Sequence, residues 1–180
     1  SRLKMSPPLR LAAFEQYMLW DDHPAYPMNF FFRFRFRGHL EGENFQAAVQ
    51  RALRRHPLLD ACVHGRHGAV WRWVPHESQR TAVEFSNPVD DAWLGARRID
   101  LQSEPGYRLT VVEAATGSHL FAQFHHTACD GIGALRFLED LMVIYANLQA
   151  KRANEHGLRE LNASKLKLRN SLGLSIGQWL

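Results

Sequence analysis

The sequence predicts a mixed α/β domain of the two-layer (α+β) kind, in which a largely antiparallel sheet carries helices packed on it. Two observations point to the strands and the helices. Segments of apolar–polar alternation, from Phe32 to Arg37 and from Ser118 to His126, read as strands. Two longer segments, Glu43 to His56 and Gly131 to Gln149, repeat apolar residues at helical spacing. A third is their order: strands and helices follow one another without strict alternation, which suits a mixed sheet.

Taken in order, Leu9 to Trp20 fits a short helix with Leu11, Phe14 and Met18 on one side and Tyr17 at its edge. Pro24 and Pro27 mark a loop. Asn29 to Arg37 is a strand, with Phe32, Phe34 and Phe36 on one face and Arg33, Arg35 and Arg37 on the other; Gly38 closes it. In Glu43 to His56 the core stripe is Phe45, Ala48, Val49, Ala52 and Leu53, with Arg51, Arg54 and Arg55 on the far side. Pro57 disfavours helix at the residue before it and ends the segment. Ala61 to Val74 reads as a hairpin turning around Gly65 to Gly68. Residues 75–98 carry little pattern beyond a short helix over Asp90 to Arg97. Tyr107 to Ala115 and Ser118 to His126 form a second hairpin. In Gly131 to Gln149 the predicted stripe is Ile132, Leu135, Leu138, Met142 and Tyr145, with Leu141 and Ile144 beside it. Lys151 to Glu160 is polar loop.

The 180 residues suffice for one domain with a real core, and 46% hydrophobic with 22% charged residues is an ordinary globular composition. No apolar stretch approaches the roughly 20 residues that cross a bilayer. Arg2, Lys4 and Arg10 interrupt any signal-peptide run. Two cysteines, Cys62 and Cys129, read as reduced thiols, so the expected location is cytoplasmic. A net charge of +4 favours anionic partners without demanding nucleic acid. The Phe–Arg ladder from Phe32 to Arg37 points the same way: its aromatics alternate inward, where they cannot stack on bases.

The chemistry concentrates at His125-His126-Thr127-Ala128-Cys129-Asp130-Gly131, where a strand ends and a helix begins. Adjacent strand residues point to opposite faces, so the two histidines cannot line one cleft. One imidazole faces a reaction centre and the other is held inside the fold. For the same reason they chelate one ion poorly. The i, i+4 histidine spacing of a zinc protease and paired cysteines are both missing, so no metal site is expected. Asp130 is well placed as a helix N-cap. Gly131 either starts the helix or leaves room for backbone or a substrate chain. Cys129 sits in no thiol-protease pattern.

H-H-T-A-C-D-G matches HHxxxDG, and the chain resembles the acyltransferase superfamily that carries it. That superfamily includes chloramphenicol acetyltransferase, condensation domains of nonribosomal peptide synthetases, wax ester synthases and polyketide-associated acyltransferases. Arg55-His56-Pro57-Leu58-Leu59 resembles the family's RHPxLR segment, with Asp60 in place of its arginine. Ile99-Asp100-Leu101, Glu104-Pro105-Gly106 and Tyr107-Arg108-Leu109 resemble the stretch leading to the motif strand, and Leu9 to Gly38 the opening helix and strand. The resemblance spans roughly residues 7 to 150.

It implies the N-terminal half of a chloramphenicol acetyltransferase-like fold over residues 1–150, with 151–180 as a linker or crossover towards a second half. In such a fold the reaction runs in a tunnel between halves. An acyl group passes from a coenzyme A or phosphopantetheine carrier-protein thioester to a hydroxyl or amine, with no bound cofactor. The second histidine, His126, would be the general base; its ordinary pKa near 6.5 suits that role. His125 would be structural, and Asp130 would form an ion pair with an arginine, for which Arg108 is the candidate. The expected partners are thioester, acceptor, and a second half or a self-association partner. The competing expectation is a noncatalytic binding or interaction module that keeps the half-fold, since a lone half should expose apolar surface.

Overall fold

A computed structural model describes residues 8–66, 70–76, 83–86, 97–152 and 157–160. The order is β1 (Leu9–Arg10), α1 (Ala13–Asp21), β2 (Asn29–Arg35), α2 (Gly42–Leu53), β3 (Ala61–His64), β4 (Arg72–Pro75), β5 (Glu84–Ser86), β6 (Tyr107–Ala114), β7 (Gly117–His125) and α3 (Gly131–Gln149). The strands divide between two sheets. One has the order β2-β7-β6-β5 and the other β1-β4-β3. All pairings are antiparallel except β5 with β6, so the larger sheet is mixed, as the sequence predicts.

Both predicted hairpins form: β3–β4, with Ala61 opposite Pro75 and His64 opposite Arg72, and β6–β7, running from Tyr107 opposite Phe124 to Ala114 opposite Gly117. β2 adds antiparallel to β7, setting Phe30, Phe32 and Phe34 against Phe124, Ala122 and Leu120. Arg33 and Arg35 lie on the opposite, exposed face, and the Arg33 guanidinium sits 5.1 Å over the Phe121 ring. Nothing in the sequence announced β5. Its three residues become a strand only through pairing with β6. The predicted helix over Asp90 to Arg97 falls outside the described residues apart from Arg97, which is not helical.

The core lies between the larger sheet and helices α2 and α3. Phe45, Ala48, Val49, Ala52 and Leu53 are all buried, as the periodicity of α2 predicts. The helix stops at Leu53, and Arg55 departs from expectation by turning inward to Asp140 of α3. In α3 the buried face is centred on Phe137, Leu138, Leu141 and Ile144, whereas Ile132 and Leu135, predicted to be inward, are 64% and 49% exposed. Apolar side chains surround most of α3, so its sequence leaves the rotation open. The Phe137 ring fixes it, packing edge-on against Phe124 at 6.0 Å.

Helix α1 also differs from expectation. Leu11 is buried but precedes the helix, and Phe14 and Tyr17 face outward at 54% and 57% exposure. A polar tether sets its orientation: the Glu15 carboxylate accepts the indole N–H of buried Trp73 (2.9 Å) and the Ala12 amide (2.8 Å). Among the described residues no helix is long and apolar enough to cross a membrane.

Phe137→Ala should destabilise the fold by about 3–5 kcal/mol, because it removes a ring at the contact between helix and sheet. Urea unfolding should show a lower midpoint at unchanged slope.

Candidate active site

Backbone pairing at the end of β7 fixes where the two histidines point. The His125 amide donates to the Gly106 carbonyl (3.0 Å), on the β6 side. The His126 amide donates to the Met28 carbonyl (2.8 Å), on the β2 side. Pinned from both flanks, successive side chains leave on opposite faces. The chain then turns, with the Ala128 and Cys129 amides donating to the His125 carbonyl (2.9 and 3.3 Å), and enters α3.

His125 is completely buried. Its Nδ1 accepts the Thr127 amide (3.1 Å), so a neutral ring carries its proton on Nε2. Nε2 lies 3.3 Å from Asp22 Oδ2, off the line of a good hydrogen bond, and the contact is electrostatic. Asp22, just past the end of α1, also accepts the Met28 amide (2.9 Å) and Arg98 Nε (2.6 Å). Burial alone would raise its carboxyl, but His125, the Met28 amide and Arg98 outweigh that and lower it to about 2. Asp22 and Arg98 carry no signal in the sequence that would have singled them out.

His126 is half-buried, with its imidazole 4.4 Å from the Phe30 ring. Burial, together with the neighbouring His125, lowers its pKa below the ordinary 6.5, against a smaller opposing pull from Asp130. Such a group is a neutral base around pH 7. Among the described residues its side chain has no hydrogen-bond partner, which leaves its lone pair available to an incoming proton donor.

Asp130 caps α3: its exposed carboxylate accepts the Gly133 amide (2.6 Å). The expected ion pair with Arg108 is not formed. Arg108 binds the Glu104 carboxylate, Gln123 Oε1 (3.2 Å) and the carbonyls of Arg97 (2.8 Å) and Arg98 (3.0 Å). It stands opposite Gln123 in the hairpin, on the sheet face that carries His125, and therefore braces the segment holding Arg98. Gly131 differs too. A Cβ there meets nothing within 4 Å, whereas at Gly106 it would fall 2.3 Å from the Ala128 Cβ. The glycine that permits close approach to the motif turn is thus Gly106.

Neither thiol is activated. Burial and Asp130 push Cys129 up to about 12. Cys62, 3.2 Å from His76 Nδ1, rises to about 11 through burial and the nearby acids Asp60, Glu104 and Asp100. Away from the motif, Arg55 Nε (2.8 Å) and His56 Nε2 (3.0 Å) share buried Asp140 on α3. Burial would raise that carboxyl, yet these two bonds hold it below the usual range.

A two-layer fold of helices on a mostly antiparallel sheet defines the class, and solved structures share that fold. The chain belongs to the Condensation domain family, which it matches over residues 11–158. An uncharacterized protein of Mycobacterium tuberculosis is 32% identical over 149 residues, covering 79% of this chain and 34% of that protein. The chain therefore spans about a third of the length of this curated relative. Among solved structures, the X-domain from teicoplanin biosynthesis, in its complex with OxyB, superposes with a TM-score of 0.73 at 19% identity, covering 91% of this chain and 38% of that one. The starter condensation domain of rhizomide synthetase, in complex with C8-CoA, gives 0.69 at 15% identity, covering 82% and 37%.

Gly106→Ala should destabilise by about 1–3 kcal/mol through overpacking against Ala128. Gly131→Ala should be neutral or stabilising by up to about 1 kcal/mol, since only the unfolded chain loses freedom. Thermal melts of the two variants, compared side by side, test this pair. Because Asp22 titrates near 2 when folded and near 3.8 otherwise, its stabilisation is complete above about pH 4 and is lost as pH falls towards 2. Urea midpoints at pH 5 and pH 3 should show that decline, and Asp22→Asn should flatten it.

Proposed function

We propose that this chain is the histidine-bearing N-terminal half of an acyltransferase, with residues 151–180 leading towards the second half. It would transfer an acyl group from a coenzyme A or carrier-protein thioester to a hydroxyl or amine. The observation that carries this reading is the division between the histidines: His125 is sealed inside, and His126 stands half-exposed at the strand end with its pKa held low. Membership of the Condensation domain family supports it. A thioester donor is supported by the rhizomide starter domain, whose complex contains C8-CoA.

In the proposed reaction a lone pair of the His126 imidazole takes the proton of the acceptor O–H or N–H as that atom attacks the thioester carbonyl. The tetrahedral adduct collapses, the C–S bond breaks, and the imidazolium returns its proton to the departing thiolate. The net change is one acyl bond exchanged for another, with no redox step. His125, Asp130 and Arg108 act as structural members. Asp130 holds the start of α3, and Arg108 secures the 97–98 segment. Acyl transfer needs no covalent enzyme intermediate here, consistent with two thiols pushed well above neutrality.

A noncatalytic interaction module is the second reading. It is favoured by Phe14, Tyr17 and Trp20, exposed along α1, and by Ile132 and Leu135 on α3. In the first reading the missing half, or a self-association partner, covers such surface. The X-domain of teicoplanin biosynthesis, which shares the fold, complexes OxyB.

Coenzyme A release from octanoyl-coenzyme A, in the full-length protein with a panel of primary alcohols and amines, separates the two readings. His126→Ala should lower turnover by about 10²–10⁴-fold with melting unchanged. Turnover should fall with acid through a midpoint below 6.5, since only the neutral ring accepts a proton. Turnover in the variant equal to wild type would remove His126 from the chemistry.

A further inference from the structure

Resting on the reading of His126 as the base, we propose that Asp22, outside the motif, is a positioning residue that holds His126 through two separate backbone routes. The first runs through His125. Its Nδ1 receives the Thr127 amide (3.1 Å), an arrangement available only to the neutral ring with its proton on Nε2. That Nε2 faces Asp22 Oδ2 at 3.3 Å, and both side chains are completely buried. The carboxylate therefore selects the one tautomer that leaves Nδ1 free to fix the turn after His126. The second route runs through Met28, whose backbone is held on both sides of its Cα. Its amide donates to Asp22 Oδ1 (2.9 Å), and its carbonyl receives the amide of His126 itself (2.8 Å).

Arg98 completes the arrangement. An imidazolium would present an N–H to the Thr127 amide where an acceptor is required. Arg98 Nε, 2.6 Å from Oδ2, supplies the compensating charge to the Asp22 carboxylate. Arg98 is in turn held by Arg108, which takes the Arg98 carbonyl at 3.0 Å. The group that orients the ring of the first histidine thus comes from the end of α1, about a hundred residues away in sequence. The same carboxylate pins the strand entry beside the second histidine. Orientation at this level matters because a displacement of about 1 Å can cost roughly 10²-fold in rate.

The test is nitrogen-15 NMR of histidine-labelled full chain, wild type and Asp22→Asn, with circular dichroism as the check on folding. In the wild type at pH 7, His125 should show a single neutral tautomer protonated on Nε2. In Asp22→Asn that signature should be lost or mixed, and the ring resonances of His126 should shift although no atom of His126 has changed. Release of coenzyme A from octanoyl-coenzyme A should fall by about 10²-fold in kcat with KM little altered, and Asp22→Glu should recover part of it. If Asp22→Asn does not fold, Asp22→Glu, which keeps the charge for Arg98 but displaces it by a methylene, carries the same NMR readouts. A wild-type His125 protonated on Nδ1 or doubly protonated would overturn the proposal. So would a folded Asp22 variant in which both histidines keep their wild-type spectra. Absence of any acyl transfer by wild type would instead remove the acyltransferase reading and leave the tautomer result intact.

Discussion

Everything at the site depends on the phase of β7. A strand sends successive side chains to opposite faces, so a shift of one residue in its pairing would exchange the environments of His125 and His126. The phase is fixed along the whole strand by pairing on both sides, to β2 over Asn29–Arg35 and to β6 over Tyr107–Ala114. Packing reinforces it. Leu120, Ala122 and Phe124 enter the core beneath α2 and α3, and the opposite register would bury His119 and Gln123 in their place. The hydrophobic core thereby decides which histidine is sealed and which is offered.

Two buried aspartates then tie the first helix to this sheet and the other two helices to each other. Asp22 joins the end of α1 to Arg98 and His125, and Asp140 joins α3 to Arg55 and His56 at the end of α2. Each is an acid held between one arginine and one histidine. Buried charges of this kind cost desolvation, and their value lies more in fixing one arrangement than in net stability. The motif turn leads from the first cluster, through His125, into the helix that carries the second.

Several large apolar side chains of the helices remain at the surface. Phe14 and Tyr17 on α1 and Ile132 and Leu135 on α3, which the sequence groups along one side of each helix, are large and apolar, and the fold leaves them outward. The chain covers only about a third of its curated relative.

By itself the sequence determined the helices α2 and α3, the β6–β7 hairpin, the Phe–Arg division of β2 and the opposed histidines. Each of these follows from a local period of 2 or 3.6 residues that neighbouring side chains impose on the backbone. The N-cap role of Asp130 was legible for the same reason, since a cap acts within one turn. Only the tertiary structure decided the rest. It gave Arg108 to Glu104, Gln123 and the 97–98 carbonyls instead of Asp130, and it assigned the close-approach glycine to position 106. It also chose the rotation of α3 and recruited Asp22, Arg98 and Asp140. These are contacts between residues tens of positions apart, and a charged side chain or a glycine carries no periodicity that names its distant partner. Pairing and packing of whole elements supply that information, because they alone bring the groups within bonding distance.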